Sequence, residues 1–296
     1  MFKDGIHGDI SPAKYHAWRF DIQEGPISCS LLKRYAADGP AKFRLGREFK
    51  ATSAMAWGSL VDCMLFTPGE LGREFDLHEN NPHLSADGAV RSKDAKEWRD
   101  AVLTLGKTIV KQHEVELATS AVESLHKTPA SGRLIEGGRF QLALFHTPDT
   151  SKIPLKALLD CVPANDPDSL VDLKTTSMNI YSDDELARAV GKYKYHAQAA
   201  FYLHLWEALT GEVRNQFKII WQSSQPPFEV RVTTLDNLWL DAGREFVRYH
   251  CARLVRDMQT QFWKSPFSER ESTLALHTGT VWDEEGTMEL LNDVSK

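Results

Sequence analysis

Asp160, Asp172 and Lys174 are the residues whose types and spacing could do chemistry. Residues 169–176 read as a strand, and side chains on a strand alternate faces, so Asp172 and Lys174 project from one side. A hairpin with residues 155–162 can bring Asp160 beside Asp172. Two adjacent carboxylates repel, and a divalent cation between them removes the repulsion. Oxygen-only ligation favours Mg2+, with Mn2+ as a substitute, over zinc or copper. An ammonium two residues from a metal-binding aspartate can orient an attacking water and stabilise charge developing on a phosphate. The cluster therefore suits phosphodiester hydrolysis. D-x-K triplets also occur as solvated surface charges, and placement distinguishes this one. Asp160 follows Ala157-Leu158-Leu159, and Asp172 lies between Leu170-Val171 and Leu173.

Other residues extend the set. Asp62 is the only charge between Lys50 and Glu70, and a carboxylate in so apolar a helix needs a partner, a metal or an exit to solvent. Gln198 and Tyr202 stand at i and i+4 and so share a helix face. The histidines do not form a rival site: His196 and His204 have no acidic partner in register. Cys29, Cys63, Cys161 and Cys251 are isolated from one another and lack zinc spacing,. Ser28, Ser30, Lys33 and Arg34 cluster near an expected helix N-terminus that could hold a terminal phosphate.

These residues need elements to position them. The N-terminal third reads as helices, with a serine N-cap before residues 29–35 and an apolar helix over 52–66 stopped by Thr67-Pro68-Gly69,. Residues 82–92 read as a loop, followed by helices over 92–105 and 111–127. The period then changes to strands over 140–145, 155–162 and 169–176. One long helix is expected over 183–209, ended by Gly211, then strands over 217–221 and 228–232 and a helix over 236–262. The order is that of an α/β domain with a central mixed sheet flanked by helices and an N-terminal helical elaboration. A single domain is expected over 1–282, with the helical part to about 135, the core over 136–282 and an acidic tail over 283–296.

The bulk numbers admit this reading. The chain has 296 residues, 42% hydrophobic and 26% charged, ordinary for a globular protein. No run approaches the ~18 apolar residues of a membrane span, and the N-terminus lacks the apolar core of a signal peptide, so a cytoplasmic location is expected. The formal charge of −6 requires any DNA-facing surface to be locally basic. Lys33-Arg34, the group Lys42, Arg44, Arg47 and Lys50, and the pair Lys192 and Lys194 could provide one.

Asp160, then Val171-Asp172-Leu173-Lys174-Thr175-Thr176, then Tyr195-His196-Ala197-Gln198-Ala199-Ala200-Phe201-Tyr202 resembles the PD-(D/E)xK nuclease superfamily. Within it the chain looks like the exonuclease VIII (RecE-type) family of the RecB-like branch. Tyr15-His16, Ile27 to Leu32, Gly58-Ser59-Leu60-Val61-Asp62 and Pro227-Phe228-Glu229-Val230 keep the family's order over roughly Tyr15 to Trp282. The resemblance implies a Mg2+-dependent exonuclease that digests one strand of linear duplex DNA from its 5′ end. It also implies a ring-shaped homo-oligomer, a RecT-type annealing partner and a phage or prophage origin in a bacterial host. By motif, Asp160, Asp172 and the Leu173 carbonyl would ligate metal, with Asp62 where the family has histidine. Lys174 would be the catalytic lysine, Gln198 and Tyr202 would line the site, and Thr175 and Thr176 would face DNA. Gln141 stands where the family often has a glutamate. These two departures keep open a DNA-end-binding protein that has lost hydrolysis, and a restriction or repair endonuclease also remains open.

Overall fold

A computed structural model describes residues 3–46 and 52–264. The chain forms two compact units, Met1–Phe262 and Trp263–Lys296, and every described element lies in the first. The expected boundary at 282, the acidic tail, Arg47 and Lys50 lie outside the described residues.

The chain starts with β1 (Gly5–His7), α1 (Pro12–Ala17), β2 (Ile27–Ser28), α2 (Cys29–Arg44), α3 (Ser53–Phe66) and a short α4 (Leu71–Glu74). Next come β3 (Phe75–Leu77), α5 (Lys93–Thr104), β4 (Thr108–Val110), α6 (Gln112–Lys127) and α7 (Pro129–Ile135). The core follows with β5 (Arg139–His146), β6 (Leu155–Val162), β7 (Ser169–Thr176), α8 (Asp183–Lys192), α9 (Tyr195–Thr210), β8 (Gln216–Ser223), β9 (Val230–Thr234) and α10 (Asn237–Thr260). Ser28, Thr52, Ser92, Ser182 and Asp236 each accept a bond from a first-turn N–H, which explains why five of these helices start where they do,.

The main sheet runs β1-β5-β6-β7-β8-β9, with β2 paired to the start of β6. It is mixed: β7–β8 and β2–β6 are parallel, and the other pairs are antiparallel. The expected mixed α/β architecture is thus present. The N-terminal third is less purely helical than its periodicity suggests. β1 and β2 join the main sheet, and β3 and β4 pair in a small parallel sheet. Strands of two or three residues are too short to show a period of two.

The expected helix over 183–209 is broken. Tyr193 ends α8, and Lys194 adopts a left-handed conformation (φ 55, ψ 45) before α9. A left-handed residue cannot continue a right-handed helix, so α9 takes its own direction and packs against β5, β6 and β7. Gly243 of α10 makes the next layer possible: a Cβ there would lie 2.1 Å from the His196 carbonyl oxygen. On the other face, α3, α6 and α7 bury Leu60, Val61, Leu125 and Leu134 with Cys161, Val171 and Leu173 of the sheet. Alternation then turns Asp172 and Lys174 away from that apolar layer.

Candidate active site

The site forms where β6 and β7 part. Only Cys161 and Val171 are paired between these strands. Two residues further along β7, the Leu173 N–H donates to Asp160 Oδ2 at 2.9 Å instead of to a strand carbonyl. A residue's N–H and C=O point to the same side of an extended strand, so the Leu173 carbonyl also faces the β6 side. On the opposite flank the β5–β6 register puts Gln141 across from Asp160, between the pairs Phe140–Cys161 and Leu142–Leu159. Gln141 has φ 46, a left-handed conformation unusual for a side chain of this size,.

Asp172 is 2% exposed. Its Oδ1 accepts from Gln198 Nε2 at 2.6 Å, and its Oδ2 is ion-paired with Lys174. Gln198 in turn accepts from Lys33 Nζ at 3.4 Å through its Oε1. Asp62 reaches the group from α3, where its Oδ2 accepts from Gln141 Nε2 at 2.8 Å. The approach of α3 is close: a Cβ on Gly58 would lie 3.1 Å from Thr175 Oγ1.

The electrostatics follow from burial and crowding. Burial, then the Asp172 charge, pushes the Asp62 carboxyl up to about 7,. The same two causes, with Asp62, hold Asp160 well above the carboxylate range. Burial alone would depress the Lys174 ammonium, but Asp172, Asp160 and Tyr195 outweigh it and keep the lysine protonated. Burial and the Lys174 charge lower Lys33.

The structure therefore brings Asp62, Asp160, Asp172, Lys174, Gln198 and Lys33 into one interacting set. Tyr202 is set into the same layer against Phe217. Burial raises its hydroxyl well above its ordinary value, with contributions from Tyr15, Asp172 and Asp160. No hydrogen bond joins it to the carboxylates among the described residues. Other expected residues have structural duties. Ser28 caps α2 through the Leu31 N–H at 3.3 Å, Ser30 is exposed, and Thr176 Oγ1 accepts from the Met178 N–H. Arg34 lies over the Phe43 ring at 4.4 Å and is not drawn into the carboxylate group. The Asp62–Gln141 bond spans 79 positions, and neither residue's spacing foretells it. Tyr195, with Lys174 5.0 Å and Lys33 5.4 Å from its ring centroid, was missed; its alternation with Lys192, Tyr193 and Lys194 was the available signal.

Among the described residues no three His, Cys, Asp or Glu side chains converge closely enough to hold a metal ion. The donor set nevertheless fits a hard divalent cation. Crowding and burial leave Asp62 and Asp160 reluctant to ionise, as expected for carboxylates that share a cation site with no cation charge to offset,. Gln141 Oε1 is also buried without a hydrogen-bond partner, an oxygen suited to the same kind of ion.

A PD-(D/E)xK-type arrangement on a mixed sheet is what fold and site define. Residues 28–270 match the family described as a PDDEXK-like domain of unknown function (DUF3799), and the chain belongs to that family. No curated protein matches the sequence. Among solved structures, a candidate exonuclease from Eubacterium rectale aligns with a TM-score of 0.57 and 15% identity, covering 91% of this chain and 96% of that one. At this identity the match establishes shared fold. An alkaline exonuclease from Laribacter hongkongensis aligns with a TM-score of 0.29 and 13% identity over 66% of this chain and 93% of its own, too low to support an argument.

Proposed function

We propose that this PDDEXK-like chain is a metal-dependent deoxyribonuclease, an exonuclease that hydrolyses linear double-stranded DNA from the 5′ end. The observation that carries the reading is Asp172, buried and held on one oxygen by Gln198 and on the other by Lys174, beside Asp160 fixed on the Leu173 N–H. Asp62, Asp160, Asp172 and the Leu173 carbonyl would hold Mg2+, or Mn2+ in its place, and Gln141 Oε1 is a further available oxygen. The bound cation would polarise the phosphate and make its coordinated water more acidic.

The chain's own residues supply the rest. The Lys174 ammonium, paired with Asp172, serves as a positive charge for the phosphate and as a donor that orients the attacking water,. Gln198 holds Asp172 in one rotamer and connects it to Lys33, which adds a second ammonium for the phosphate backbone. Tyr202 would line the site from the same helix face as Gln198. In this reading the protein works at DNA ends in a bacterial cytoplasm, as part of a phage or prophage recombination system. Its copies form a ring, and the exposed strand passes to a RecT-type annealing protein. These last features rest on the sequence resemblance.

The test is digestion of linear duplexes labelled at one end, with Mg2+, Mn2+ or EDTA, beside a covalently closed circle. The proposal expects progressive loss of the 5′-ended strand with metal, and an intact circle. No degradation of either end with both metals would overturn it, and cleavage of the circle would assign an endonuclease. A second reading has its own observation: Asp62 is bonded to Gln141. It describes an end-binding protein with weakened hydrolysis, recognised by tight binding to DNA ends without metal-dependent turnover.

A further inference from the structure

The break between α8 and α9 exposes aromatic and basic side chains next to the proposed centre. Tyr195 lies beneath two ammonium groups, Lys174 and Lys33, and its ring is backed by the buried Trp221 at 5.8 Å. Tyr193 continues the shelf outward: its ring is 5.6 Å from that of Tyr195, tilted by 32°, and the residue is 45% exposed. Lys192 Nζ stands 5.3 Å from the Tyr193 centroid. Lys192 and Lys194 are exposed and have no ion-pair partner among the described residues. Two ring-to-neighbour steps, of 5.0 and 5.6 Å, separate Lys174 from the Tyr193 ring, a distance on the scale of one or two nucleotides along a strand.

The geometry points to Tyr193 as a stacking platform for an unpaired base of the DNA strand next to the cleaved phosphate, with Lys192 and Lys194 holding that strand's backbone. This inference rests on the nuclease reading and deepens it by naming a single-stranded segment as what the site grips. A half-exposed ring next to exposed ammonium groups without an ion-pair partner among the described residues matches the alternation of base and phosphate in a single strand, and stacking on such a ring is tolerant of sequence,. A folding role explains Tyr195, which packs on Trp221, but not the outer part of Tyr193, which is 45% exposed. The left-handed Lys194 between them sets the two rings side by side, whereas i and i+2 of a continuous helix would point to opposite faces,.

The test uses the full chain in EDTA, so that binding is read without turnover, and single-stranded oligonucleotides carrying 2-aminopurine. Stacking should quench the fluorophore on binding. Tyr193→Ala should weaken binding about 5- to 100-fold and restore the fluorescence, while Tyr193→Phe should retain both affinity and quenching. Lys192→Ala should lower the steepness of the salt dependence by about 0.7, whereas Tyr193→Ala should leave it unchanged because it removes no charge. Wild-type affinity and quenching in Tyr193→Ala, with Mg2+-dependent cleavage by the wild-type chain intact, would overturn the platform and leave the nuclease reading standing. A wild-type chain that neither binds nor cuts DNA would remove both.

Discussion

Lys174→Met removes the ammonium but keeps much of the hydrocarbon stem. In the metal-free protein it leaves Asp172, at 2% exposure, with Gln198 as its remaining hydrogen-bonding partner. Breaking a buried ion pair on one side costs ~3–5 kcal/mol, because the other charge stays buried. The Lys174 side chain is 21% exposed, so water already screens part of the interaction and the lower end, about 3 kcal/mol, applies. For a unit of this size each kcal/mol shifts Tm by ~2–4 °C, so Tm in EDTA should fall by about 6–12 °C. Asp172→Asn in the Lys174→Met background removes the stranded charge and should recover much of that loss. Thermal unfolding by circular dichroism reads both effects. Single-turnover cleavage of an end-labelled duplex should drop on the order of 100- to 1000-fold in Lys174→Met. A surface pair would be worth ~1 kcal/mol or less. Lys174→Met with unchanged Tm, or no recovery in the double variant, would therefore refute the description of Asp172 and Lys174 as a buried coupled pair.

Three other outcomes are expected. Gln198→Leu leaves Asp172 Oδ1 without its donor and should slow cleavage about 10- to 100-fold, close to the effect of losing one positioned donor; rates from single-turnover assays check this. Gly243→Ala places a Cβ within 2.1 Å of the His196 carbonyl oxygen, so α9 and α10 must separate, and urea unfolding should show a loss of about 3 kcal/mol. Lys156, bonded through Nζ to the Tyr15 and Trp18 carbonyls, is lowered by burial to about 8. Between pH 8 and the ordinary lysine value the unfolded chain binds more protons than the folded one, so stability rises with pH there. Lys156→Met should reduce that slope, measured as urea midpoints from pH 7.5 to 10.5.

What was legible in the sequence was local. Apolar runs interrupted by an aspartate mark β6 and β7, the strand period of two places Asp172 and Lys174 on one face, and i, i+4 spacing places Gln198 and Tyr202 on one side of α9,. Ser28, Thr52 and Asp236 announce the starts of their helices because a cap acts within three residues. Tertiary structure decided the rest through contacts whose partners are far apart in the chain. The Asp62–Gln141 bond spans 79 positions and the Lys33–Gln198 contact spans 165. Whether a carboxylate in an apolar helix meets a metal, an amide or water depends on which strand lies across from it, and helical periodicity carries no information on that point. The break at Lys194 depends likewise on the course α9 must take under β5, β6 and β7, which no local propensity encodes. Asp160, Asp172 and Lys174 could thus be read as a triplet from spacing alone. The parting of β6 from β7, which hands the Leu173 N–H to Asp160, made the triplet a site, because a strand donor there meets a side-chain carboxylate in place of a strand carbonyl.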